Sequence, residues 1–167
     1  MSLARQICSN GLQAREISKI SLRQPLSKAY IAMDDEYVMS VVKEELNLKE
    51  VLFSKEVNEE DGLITVGENE LTVSLDTNMT EELKNEGTIN DFLRKYRDLR
   101  KKKGLRMDDK VSVTFSFEGG DVKDVLSEYV LGNMDVLQAK DVKISEKIQE
   151  GVGGFSIANT KVLVLFE

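Results

Sequence analysis

Between Arg94 and Arg106 the chain carries eight lysines and arginines against a single acid, Asp98. Arg94, Arg97 and Lys101 recur at i, i+3 and i+7 with Lys95 and Lys102 beside them, so on a helix they share one face. Clustered guanidinium and ammonium groups bind anions, above all the closely spaced phosphates of a nucleic acid. The plainer reading is a solvated basic face that complements a helix dipole, and the residues alone leave both open. The whole protein is acidic, with 23 bases, 30 acids and a net charge of −7 over 167 residues, so this segment is a positive ridge on a negative molecule.

A second positive region lies near the start, where Arg5, Arg15, Lys19, Arg23 and Lys28 face only Glu16. Arg5, Arg15 and Arg23 are therefore candidates for a second phosphate-contacting patch. Residues 34–81 hold three bases and fourteen acids, a net of −11, and would repel phosphates. They belong towards solvent or a basic partner. Asp34, Asp35 and Glu36 resemble a hard-cation site in composition, but a helix cap accounts for them more simply.

Other chemistry is limited by what is missing. There is no histidine, which removes the commonest general base, the commonest metal ligand and every Ser/His or Cys/His pair. Cys8 is the only cysteine, so no internal disulfide or zinc site is expected. It reads as a small packed hydrophobe in a reducing compartment. No phosphate-binding GxxxxGK[ST] loop occurs, and no apolar run reaches the ~20 residues of a membrane span. The chain by itself is expected to have no catalytic site and no cofactor.

The basic residues need a helix to present them, and the sequence predicts one over about 80–103. Ile89, Phe92, Leu93, Tyr96 and Leu99 form an apolar stripe at helical spacing. Thr80 can cap the start, Glu81 and Glu82 suit the first turn, and Lys101, Lys102 and Lys103 suit the last. Gly104 supplies a left-handed stop. The position of Phe92 and Tyr96 on the stripe favours core packing over stacking on bases.

Elsewhere the patterns predict a helix over 4–18, interrupted by Gly11 at a cost of about 1 kcal/mol, then a strand over 28–32 and a helix capped by Asp34 or Asp35 and stopped by Asn47. A strand over 51–53 follows. The polar segment 56–62 reads either as the boundary between two lobes or as a hairpin loop. Beyond it come a hairpin of 63–66 with 71–75, the long helix, an alternating strand over 111–117 and a helix over 121–131. Strand-like segments over 136–144 and 155–166 close the chain, with Asn159 and Thr160 reversing the last hairpin. No internal repeat is visible. The expected class is α+β, with two small lobes of mostly antiparallel sheet and packed helices, divided as 1–57 and 58–167.

Two separated stretches resemble the C-terminal region of isoleucyl-tRNA synthetases, class I enzymes of the cytoplasm. The first is residues 4–32, with RQPLSK at 23–28, followed by EELNLKEVLF at 44–53; the second is residues 73–111, with LDT at 75–77, TEEL at 80–83, EG at 86–87, DLRK at 98–101 and GL at 104–105. The resemblance implies a tRNA-binding appendage: the end of the anticodon-binding helical region, then α+β lobes. Its partners would be isoleucine tRNA and the remainder of the synthetase, with no DNA and no membrane. In that family ATP and isoleucine are handled in a Rossmann domain with HIGH and KMSKS signatures, and mischarged valine is removed in an editing domain. Neither signature occurs here, and without histidine HIGH is impossible, so ATP would belong to another part of a parent enzyme. Met1-Ser2-Leu3 reads as a leader before a mid-protein boundary, which suggests an excised fragment. Many relatives carry a longer insertion where only residues 54–73 connect the two stretches, and the bacterial zinc-binding tail is absent. The alternative is a structural or protein-interaction module that packs on the synthetase body without touching RNA.

Overall fold

In the computed structural model, which describes residues 3–56, 62–146 and 153–167, one succession of elements occurs twice. The first run is α1 (Leu3–Ile17), β1 (Leu26–Ile31), α2 (Glu36–Glu45), β2 (Leu48–Phe53), β3 (Leu63–Val66) and β4 (Val73–Asp76). The second is α3 (Glu81–Lys102), β5 (Val111–Glu118), α4 (Lys123–Gly132), β6 (Ala139–Ile144), β7 (Gly153–Ile157) and β8 (Thr160–Phe166). The sheets have the matching orders β2-β1-β4-β3 and β6-β5-β8-β7. In each, the first pair is parallel, bridged by a helix as a parallel connection requires, and the other two pairs are antiparallel. This is the expected α+β class. It also corrects the expectation of no internal repeat.

The chain divides into two compact units, Met1–Gly87 and Thr88–Glu167. A division at 57/58 separates strands that pair: β3 and β4 lie beyond that point, yet β4 joins β1 through Ala29 opposite Leu75 and Ile31 opposite Val73. The physical reason is burial, because Val73 and Leu75 complete the apolar face that Ala29 and Ile31 begin. Residues 57–61, the middle of the proposed boundary, lie outside the described residues.

Within the first unit, Asp35 caps α2 by accepting from the Val38 N–H at 3.0 Å, so the acidic cluster there serves as a helix start. Asn47, at φ +50°, is the left-handed stop. Gly11 lies where α1 meets Leu46, and a Cβ on it would collide with the Leu46 side chain. The propensity loss on that helix is thus the condition for close packing. In the second unit Phe92, Phe115, Leu126, Val130 and Val164 are fully buried around Tyr96. Residues 136–138, expected to open a strand, instead belong to a turn over 134–138 that carries Val136 outward.

Candidate nucleic-acid interface

The long helix is built as its residues predict. The Leu83 N–H donates to Thr80 Oγ1 at 3.3 Å, capping the start. At the other end Gly104 is at φ +77°, its N–H reaches the Lys101 carbonyl, and the Leu105 N–H reaches back to Arg100. These paired bonds satisfy carbonyls that the helix end leaves open. Residues 81–87 of the helix group with the first unit and 88–102 with the second.

Packing sets the rotation of α3. Phe92 and Tyr96 stack at 5.9 Å, and the buried Tyr96 hydroxyl donates to the Leu137 carbonyl at 2.9 Å. Burial pushes the Tyr96 phenol upward in pKa, partly countered by the bond and charge of Arg100. Both rings are structural. Fixing that face inward turns Arg94, Arg97, Lys101 and Lys102 outward, where all four are exposed.

These cations are not equivalent. Arg94 pairs with Asp91 at 3.4 Å and Asp98 at 3.3 Å. Lys95 is half-buried, pairs with Asp91 at 2.8 Å and donates to the Ser156 carbonyl at 2.7 Å. Its ammonium therefore ties helix to hairpin. Arg97, Lys101 and Lys102 make no ion pair among the described residues, so their charge is directed outward. Arg100, counted in the basic run, is only 5% exposed and belongs to the interior.

Beside the ridge lies a groove of about 630 Å³ within the second unit. Arg97, Lys101 and Arg106 line it, together with the apolar side chains of Leu105, Met107 and Val136. Met107 is 91% exposed and Val136 44%, so the apolar part is open. Arg106 was visible only as one more base in the run. Met107 and Val136 carried no signal, because turns after α3 and before β6 bring them together.

The N-terminal patch does not hold together. Arg15 is 3% exposed. Its guanidinium donates to the carbonyls of Ser21 and Gln24 at 3.0 Å, of Asn47 at 3.3 Å and, through two nitrogens, of Leu46. Burial lowers its pKa to about 10, which leaves it charged at neutral pH. It is a clamp across the first unit, unavailable to a phosphate. Arg5 and Arg23 are on the surface, but Arg5 is in the first turn of α1 and Arg23 follows its end, about 20 Å along a 15-residue helix at ~1.5 Å per residue. Arg5 instead borders a cavity of about 480 Å³ with Cys8, Asp35 and Tyr37. Burial and the charge of Glu45 raise the Cys8 thiol, as suits a packed side chain.

The chain matches no protein-family model. Its sequence is similar to isoleucine–tRNA ligases: 30% identical to that of Porphyromonas gingivalis over 138 residues, covering 76% of this chain and 12% of the relative. The enzyme of Leifsonia xyli is 35% identical over 107 residues, 57% of this chain and 10% of the relative. That of Clostridium tetani is 24% identical over 214 residues, 80% of this chain and 21% of the relative. The resemblance carried by the two stretches therefore extends over most of the chain. The chain spans between 10% and 21% of the length of these relatives. No described helix is long and apolar enough to cross a membrane.

Proposed function

Since this chain is by sequence a relative of part of the isoleucine–tRNA ligases, we propose that it is a tRNA-gripping accessory portion of such an enzyme, with amino-acid activation performed elsewhere in a larger protein. The observation that carries this reading is the outward cationic set Arg97, Lys101 and Lys102 on a helix fixed in rotation by Tyr96 and Phe92. A phosphate approaching α3 meets guanidinium and ammonium groups that no acid among the described residues pairs with, on a face the core holds in place. Arg94 adds to the field, although Asp91 and Asp98 reduce its share. Contacts of this kind position an RNA and add affinity without reading sequence.

The test is titration of the 167-residue chain with isoleucine tRNA across a range of salt, beside the variant carrying Arg97→Gln, Lys101→Gln and Lys102→Gln. Log affinity should fall linearly with log salt, and the variant should lose about 0.7 to 0.9 of slope per cation removed. An unchanged slope removes α3 from the interface. A cytoplasmic setting and dependence on the rest of the ligase for ATP and isoleucine belong to the same reading.

One observation favours a second reading, a module that packs on the synthetase body without touching RNA. Leu12, Ile17 and Leu22 of the first unit are all exposed, Ile17 to 57%, and such a surface suits a protein neighbour. Retention of tRNA affinity by a ligase lacking this portion would favour that reading.

A further inference from the structure

We infer that the groove beside α3 holds an unpaired stretch of RNA, with bases against Met107 and Val136 and phosphates on Arg97, Lys101 and Arg106. The inference rests on the proposed RNA-binding function and names the form of RNA that this site takes.

The argument begins with the two kinds of surface that meet there. A regular duplex offers a protein its phosphates and sugars, and its bases are stacked away; an apolar floor gains nothing from it. An unpaired base presents a flat apolar face a few ångströms from its own phosphate, and Met107, Val136 and Leu105 lie beside the three cations in one concavity. Met107 is the fitting residue for a base of undefined identity, because its unbranched thioether adapts to flat faces of different shape. Its 91% exposure means that the fold does not use it for packing. Arg106, with 80% of its side chain exposed, can lay its guanidinium plane on a second base; Asp108, 3.9 Å from it, is equally open, and the Asp109 carboxylate is engaged by the Arg106 backbone N–H at 2.8 Å. Asp98 also lines the groove, but its carboxylate is turned to Arg94 at 3.3 Å.

The repeat shows that the fold does not require this groove to be basic. Counting from the equivalent Arg15 and Arg100, the positions of Arg97, Lys101, Arg106 and Met107 are filled in the first unit by Leu12, Glu16, Ser21 and Leu22. At these positions one scaffold bears two leucines, an acid and a serine in one copy and three cations and a methionine in the other.

The test uses the whole chain with short fluorescein-labelled RNA oligonucleotides, one of purines and one of pyrimidines, each as a single strand and annealed to its complement, with isoleucine tRNA alongside. Single strands should bind about tenfold or more tighter than the duplexes. Met107→Ala combined with Val136→Ser should weaken single-strand binding roughly five- to a hundredfold, the range for loss of a stacked base, at an unchanged salt slope. Arg97→Gln with Lys101→Gln should reduce the slope by about 1.4. Both apolar positions are open enough that folding should be preserved, which a thermal melt checks. Equal binding of single strand and duplex, or a floor variant with wild-type affinity, overturns the groove while salt-dependent tRNA binding leaves the broader reading standing. Absence of binding to every RNA overturns both.

Discussion

Arg15 and Arg100 stand in the same place in the two units and perform the same buried task. Each is in the last turn of its helix, four residues before a left-handed residue, Lys19 at φ +56° or Gly104 at φ +77°. Each donates to the carbonyls six and nine residues ahead: Ser21 and Gln24 for Arg15, Arg106 at 3.1 Å and Asp109 at 2.6 Å for Arg100. Each also reaches the carbonyl two residues before the second strand, Leu46 or Leu137. The next residue, Asn47 or Gln138, is left-handed in both units. One planar fork of donors thus gathers the loop after the first helix and the turn after the second, which no apolar residue can do.

Replacing either arginine should therefore damage its own unit. Lysine keeps the charge but cannot span several carbonyls, and the abandoned buried acceptors carry a desolvation cost. Arg15→Lys and Arg100→Lys should each cost about 2 to 4 kcal/mol in urea unfolding. Because they act in separate cores, the losses should nearly add in the double variant. A loss within experimental error for Arg15→Lys would show that the clamp is incidental.

The left-handed position makes the two units comparable in a second way. Lys19 bears a strain that Gly104 avoids, since a side chain at positive φ crowds its own backbone. Lys19→Gly should stabilise the first unit by about 0.5 to 1 kcal/mol, and Gly104→Ala should destabilise the second by about as much, although the space around Gly104 is open. Thermal melts of the two variants should move in opposite directions. Movement in the same direction would contradict the equivalence.

These correspondences explain what the sequence could and could not disclose. Thr80, Gly104 and the stripe through Phe92 and Tyr96 were legible because capping and periodicity act within one helix. The repeat was not. Aligned on Arg15 and Arg100, α1 matches residues 88–102 of α3 over fifteen positions, and those arginines are the only identical pair. The buried faces do the same work with different volumes: Ile7 against Phe92, Ala14 against Leu99, Gly11 against Tyr96. Where Gly11 admits the Leu46 side chain, Tyr96 fills the space and bonds to the Leu137 carbonyl. The groove was equally hidden, since Met107 and Val136 are 29 residues apart and meet only through the fold. Arg15 was misjudged because surface and buried arginines look alike until a core is built around them.

Gly11 gives a prediction in which two effects oppose each other. Alanine would favour the isolated helix by about 1 kcal/mol, but its methyl would strike the fully buried Leu46 side chain, and forced overpacking typically costs about 1 to 3 kcal/mol. Gly11→Ala should thus be net destabilising by up to about 2 kcal/mol. In a Leu46→Ala background the clash disappears, and the same substitution should become neutral or favourable. If Gly11→Ala stabilises the wild-type chain, the close approach of α1 to Leu46 is wrong.

Asp91 restrains the ridge, and its removal tests fold and function together. Burial alone would raise this carboxyl, but the hydrogen bond and charge of Lys95, with those of Arg94, outweigh it and hold it below the usual carboxylate range. An acid depressed in this way stabilises the fold above its unfolded value, ~3.9, and the contribution disappears as pH falls through the lower folded value. Asp91→Asn should therefore cost under about 1 kcal/mol at pH 7, the scale of helical ion pairs at partly exposed sites. The stabilities of wild type and variant should begin to approach each other below about pH 4 and meet once the pH has passed the lower folded value. If α3 grips tRNA as proposed, the variant should bind isoleucine tRNA a few-fold more tightly at pH 7, because Arg94 loses one of its two acidic partners and a negative charge leaves the helix. Weaker binding with a normal melt would mean that the anion, not the neighbouring cations, organises this face. That result would contradict a phosphate-gripping role for α3.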